Sequence, residues 1–215
     1  MPFPTIDYQN PPVQKVGMQL PKGPRTMISI LENRDLISRD ELAGINNMQE
    51  LKADLLRRII AYNEGDDLEV IFHLIQIWGG STGRNIYVRD GGFVRDRVMP
   101  HYTRLVQTCL DIRKINVETM EQIVAAMCQF SENVRNINLA FISKHVHFWL
   151  RRNLATNALP IYDSVMACHI MFSQSVRRQD IVPYWQQMIE KATEEKMSVC
   201  DLEEILFAYF RPYEE

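Results

Sequence analysis

Two residues in this chain have the types and the setting for Schiff-base chemistry. Lys144 follows Ser143 in the stretch 138–170, NLAFISKHVHFWLRRNLATNALPIYDSVMACHI, and Asp163 follows Leu-Pro-Ile-Tyr in the same stretch. Ser143 reads as the N-cap of a helix to about Arg152, which puts Lys144 in that helix's first turn. The positive end of the helix dipole disfavours an ammonium there, and partial burial adds to the effect, so some neutral amine is expected at neutral pH. A neutral amine is what Schiff-base formation requires. Asp163 reads as the N-cap of a helix to about Gln174. A carboxylate held in that way could take a proton or steady a cationic sugar. Taken singly, a surface lysine and an ordinary capping aspartate account for both residues.

Other chemistries find little support. Gly79-x-x-x-Gly83 and Gly91-Gly92 lack the Gly-Lys-Ser/Thr ending and the preceding buried strand of a phosphate loop. Neither H-E-x-x-H nor G-x-S-x-G occurs. His145 and His147 are two residues apart on a helix, which turns their rings to different faces and makes a poor metal pair. No metal and no cofactor are expected. Cys109, Cys128, Cys168 and Cys200 form no C-x-x-C pair and fall on apolar helical stretches, so buried reduced thiols in a cytoplasmic protein are expected.

The elements that must position these residues are helices. Six of the ten prolines lie in the first 24 residues, which predicts an extended arm over 1–25, draped on the domain or loose. Residues 26–215 then read as a single helical domain with room for two lobes. Met48, Leu51, Leu55 and Ile59 make one stripe; Asp66 or Asp67 can cap the next helix, which stops at Gly79-Gly80. Residues 79–97 form a long Gly- and Arg-rich loop with strand character from Asn85 to Arg89 and a hairpin turn at Asp90-Gly91-Gly92. Pro100 opens a helix to about Arg113, and Asn116 caps another with Met120, Val124, Met127 and Cys128 inward. Two further helices, near 184–196 and 199–210, close the chain. The class is all-α, with seven to nine helices. The most apolar segment, Leu68 to Trp78, is interrupted by Glu69 and His73 and too short to span a bilayer.

Net charge is −3 but unevenly spread. Residues 79–152 carry 11 basic and 6 acidic residues, against 8 and 11 in 1–78 and 5 and 10 in 153–215. A basic centre between acidic flanks suits a local phosphate-binding surface.

The segment that holds Lys144 and Asp163 resembles the helix–hairpin–helix DNA glycosylase superfamily, in its 8-oxoguanine glycosylase-like branch. There a lysine opens the second hairpin helix, and an aspartate follows a proline-containing loop at the start of the next. The 19-residue separation and the wording SKHVHFW…LPIYDS are similar to the smaller bacterial members. The similarity spans about residues 117–175. It departs at the hairpin, where Asn136-Ile137-Asn138-Leu139-Ala140-Phe141-Ile142 stands in place of the family's phosphate-gripping Gly-hydrophobic-Gly.

What the resemblance implies is a DNA glycosylase and AP lyase that excises a damaged or modified base, with Lys144 as nucleophile and Asp163 as its partner. Asn136, Asn138 or Ser143 would take over phosphate contact from the glycine amides at the hairpin, with His145 a further DNA contact. Arg84, Asn85 and Arg89 are candidates for further phosphate contact or for filling the gap left by a flipped base. Phe148, one turn beyond Lys144, and one of Phe207 or Phe210 are candidates to sandwich that base. The partner is DNA and not a membrane. The family's default base is oxidised guanine, and hypermodified bases of invading DNA are the variant target. Two other readings stay open: a non-catalytic helical nucleic-acid-binding or adaptor module, as in an antiviral system, and a helical interaction subunit without nucleic acid.

Overall fold

The computed structural model describes residues 3–8, 10–11, 19–79, 94–134 and 137–210. Among these it is all-helical, with nine α-helices and no strand. They are α1 (Lys22–Glu32), α2 (Met48–Ala61), α3 (Leu68–Gly79), α4 (Met99–Asp111), α5 (Val117–Asn133), α6 (Leu139–Leu154), α7 (Ser164–Ile170), α8 (Arg178–Glu194) and α9 (Val199–Phe210). The proposed hairpin around 85–89 lies outside the described residues. Val94–Val98 of the expected long loop is a π-helical turn that leads into α4. No helix among the described residues is long and apolar enough to cross a membrane.

Several helix starts follow from capping chemistry. Asn47 accepts from Gln49 N and Glu50 N, Asp67 from Glu69 N and Val70 N, and Asn116 forms a reciprocal capping box with Thr119. α1 begins inside the expected extended arm. Pro24 is its third residue, where a missing N–H costs nothing because the first N–H groups of any helix lack internal partners. Met27 and Leu31 then bury on one face. Residues 3–8 drape over α8, with Lys191 Nζ 5.2 Å from the Tyr8 ring centre and 5.9 Å from that of Phe3.

α6 is the central helix and packs against α2, α3, α4 and α5. Nine of its side chains, Phe141–Ser143 and His145–Leu150, are buried. The buried apolar residues from Leu20 to Leu206 form one contiguous core. The expected α2 stripe is seen, with Leu51, Leu55 and Ile59 fully buried and Met48 partly so. The thiols only partly match expectation. All four are free, but Cys168 is exposed and Cys128 half-buried, while Cys109 and Cys200 are buried. Burial pushes the latter two up to about 12 and about 11, so neither is poised as a thiolate nucleophile.

Candidate functional site

The start of α6 corrects the reading of Lys144. Asn138, not Ser143, is the N-cap, accepting from Phe141 N at 2.9 Å. The helix therefore begins a turn earlier, and Lys144 is its sixth residue, beyond the reach of the dipole's positive end. Its side chain, half-buried, is framed instead by the end of α3. Nζ donates to Gly79 O at 3.3 Å and lies 5.5 Å from the Phe141 ring centre and 5.9 Å from that of Trp78. A carbonyl at a helix C-terminus and two aromatic rings make a setting for a cation. Gly79 is what lets α3 close on α6: a Cβ there would stand 2.5 Å from the Phe141 ring and 3.3 Å from Lys144 Cδ.

Asp163 is the N-cap of α7, as expected, although that helix is short and ends at Ile170. Both cap bonds, from Val165 N (2.9 Å) and Met166 N (3.2 Å), end on Oδ1, which leaves Oδ2 outside the cap. The residues that precede Lys144 and Asp163 are bonded to each other. Ser143 Oγ accepts from Tyr162 N at 3.1 Å and lies within donor reach of Tyr162 O (3.2 Å) and Ala140 O (2.8 Å). The backbones that precede Lys144 and Asp163 are thus clamped side by side. Ser143→Ala should cost about 1–3 kcal/mol, because it strands a buried N–H. Chemical denaturation measures this, and a loss below about 0.5 kcal/mol would show that the clamp is dispensable.

The segment that carries Asp163 into place is extended and buried, so it has no helix or sheet partner for its backbone. Side chains from three helices satisfy it. His147 Nδ1 lies 3.0 Å from Leu159 O, Trp185 Nε1 donates to Pro160 O (2.9 Å), and the Tyr184 hydroxyl donates to Ile161 O (2.9 Å). Glu203 Oε1 accepts from Ile161 N at 2.6 Å, and the Tyr162 ring stacks on Tyr184 at 4.6 Å. Burial pushes the Glu203 carboxyl up to about 8, against the Ile161 N–H and the charge of Lys52; Asp163 and Glu204 push the same way as burial. Burial first, then Lys52 and Arg151, holds His147 down to about 3. The 3.5 Å approach of His147 to Glu203 is therefore a contact between neutral groups rather than an ion pair.

His145 is wholly buried, so its assignment to phosphate contact is overturned. Its ring nitrogens lie 2.9 Å from the Tyr102 hydroxyl and 3.0 Å from the Gln76 amide, and Trp149 Nε1 donates to Tyr102 at 2.7 Å. Burial, then the charge of Lys144, lowers it to about 3. Ser143, 1% exposed and engaged with Tyr162, is likewise no phosphate ligand. Asn138 is exposed but spends its side-chain oxygen on the cap. Phe148, 0% exposed, meets Trp78 edge-on at 4.9 Å and is a core residue. Phe210 belongs to a different aromatic group, stacked on His169 at 4.2 Å with Tyr209 beside it; Phe207 is half-buried. Arg84, Asn85, Arg89 and Asn136 lie outside the described residues.

Among the described residues no group of three or more His, Cys, Asp or Glu is placed to hold a metal ion. No protein-family model, curated protein or solved structure matches the chain. The site therefore stands on its own geometry. Sequence reasoning passed over Trp78, Gly79 and Phe141 around Lys144. It also passed over the joint role of Ser143, His147, Tyr184, Trp185 and Glu203 under Asp163. The available signal was polar side chains inside apolar helical runs, Gln76 in α3 and Glu203 in α9.

Proposed function

We propose that the protein is a cytoplasmic DNA glycosylase with associated lyase activity, which excises a damaged or modified base through a Schiff base on Lys144. The observation that supports this reading is the Ser143–Tyr162 clamp, which ties the residue before a half-buried lysine to the residue before a capping carboxylate. The family resemblance of this segment adds to it, as do α5 and α6, which pack together across the short 134–138 connection. In the reaction, Asp163 takes a proton from the lysine, and Nζ attacks C1′ of a flipped nucleotide. The glycosidic bond breaks, its electron pair leaves with the base, and the base is protonated. Opening of the sugar forms the imine; removal of a proton from C2′ then forms the C2′=C3′ double bond and expels the 3′ phosphate as the leaving group.

One observation favours a second reading. Lys144 Nζ donates to Gly79 O between two aromatic rings, an arrangement that also suits a purely structural lysine in a non-catalytic nucleic-acid-binding module. Borohydride trapping on duplexes that carry 8-oxoguanine, other modified bases or an abasic site separates the two. A covalent adduct is expected with the native protein and none with Lys144→Ala. Equal trapping by the variant removes Lys144 as nucleophile; DNA binding with no adduct at all leaves the module.

A further inference from the structure

Among the described residues, four other than glycine have positive φ: Asp35 (53°), Ala155 (48°), Phe172 (49°) and Lys196 (56°). Asp35, Phe172 and Lys196 all lie just beyond helix C-termini, where a left-handed residue lets following N–H groups fold back onto the last carbonyls. Glycine suits that position, and small or polar residues tolerate it; a bulky aromatic is an outlier. At the end of α7 the Ser173 N–H reaches back over Phe172 to Ala167 O at 2.9 Å, and Met171 N bonds the same carbonyl at 3.2 Å. The hydrogen bonds hold the backbone left-handed, and the side chain stands in solvent. Phe172 is 67% exposed, more than Ile60, Val117 or Tyr209. The same position thus combines backbone strain and aromatic exposure, and the helix cap that uses the left-handed backbone does not call for an aromatic side chain.

The surroundings indicate the kind of partner. Residues 164–179 contain Arg177 and Arg178 and no Asp or Glu, although 153–215 as a whole carries 10 acidic residues. Arg177 Nε bonds Ser173 Oγ (3.1 Å) and Asp180 Oδ2 (3.0 Å), so it braces the turn that presents Phe172. Arg178 is exposed beside it. An aromatic face with the exposed Arg178 nearby in sequence, beside an Arg177 that is paired with Asp180, fits an unstacked nucleobase and its phosphate. The patch lies at the far end of α7 from Asp163, roughly 13 Å along the chain axis.

We infer that Phe172 is a nucleobase-stacking contact that holds the DNA strand next to the excision site, with Arg178 on the adjoining phosphate. This rests on DNA as the substrate, but not on Lys144 chemistry. Phe172→Gly tests it, because glycine takes the left-handed conformation without strain and the variant should melt no lower than the native protein. Its affinity for a duplex with an abasic site should fall about ten-fold, and Phe172→Trp should keep native affinity. A 2-aminopurine next to the lesion should be quenched by the native protein and not by Phe172→Gly. Arg178→Ala should lower the salt slope of binding by about one, a slope that Phe172→Gly leaves alone. Native affinity and native quenching in Phe172→Gly would overturn the inference. So would unchanged DNA binding combined with loss of a self-association seen in the native protein, which would make Phe172 a protein-docking residue. Absence of a borohydride adduct bears on Lys144 and not on these binding measurements, so the two readings fail separately.

Discussion

Asp163→Asn should fold as well as the native protein and lose about 10²- to 10⁴-fold in single-turnover base excision, the usual contribution of a positioned general base. Asparagine caps a helix about as well as aspartate, so the bonds to Val165 N and Met166 N survive the change. What disappears is the negative charge and the proton affinity. A thermal melt alongside the rate measurement separates the roles. Asp163→Ala, which removes the cap as well, should lower stability by about 0.5–2 kcal/mol. An asparagine variant with turnover within three-fold of native would leave Asp163 as a helix cap and nothing more.

The second large effect concerns pH. Glu203 is raised from 4.5 to about 8, so between those values the native state keeps a proton that the unfolded chain releases. Its contribution falls as pH rises through that window, by about 1.4 kcal/mol per pH unit. His145 and His147 are lowered from 6.5 to about 3, so between those values the unfolded chain binds protons that the native state does not. Each contributes a rise of about 1.4 kcal/mol per unit with increasing pH in that window. Below about 4.5 the two rising terms act alone; from there to 6.5 one of them is cancelled; above 6.5 only the falling Glu203 term remains. Stability should therefore peak near pH 6.5 and decline towards 8. Glu203→Gln, which keeps an acceptor for the Ile161 N–H, should remove the decline and leave a plateau. Denaturant melts across pH 5–9 measure this, and a decline that persists in the glutamine variant would show that another group carries the proton.

Much of the helical layout was legible because its signals are local. The caps at Asn116 and Asp163 act on backbone N–H groups two or three residues away, and short-range chemistry of that kind is written in short-range sequence. α6 shows the limit. Asn138 and Ser143 are both good capping types, and nothing within the segment ranks them. Tertiary packing ranks them: Phe141 and Ile142 bury in the core as helical residues, and Tyr162, far along the chain, claims the Ser143 hydroxyl. With Asn138 as the cap, Lys144 lies outside the first turn and beyond the helix dipole's positive end. α8 is similar, since it starts at Arg178 and runs through Pro183, held by the buried Ile181, Tyr184 and Trp185.

Local pattern suffices for an all-helical chain, the apolar stripes that build its core, and a capping aspartate 19 residues beyond a lysine on a helix. Which polar side chains go inside, and whom they meet, depends on how the helices pack. Periodicity reports which face of a helix is apolar, and it treats His145, His147 and Glu203 as errors in the pattern. In the fold they are the partners of buried groups: a tyrosine and a glutamine for His145, the extended 159–162 backbone for the other two. Partners tens of residues apart become neighbours only when helices pack, because an unpaired buried N–H or carbonyl costs too much to leave unmet.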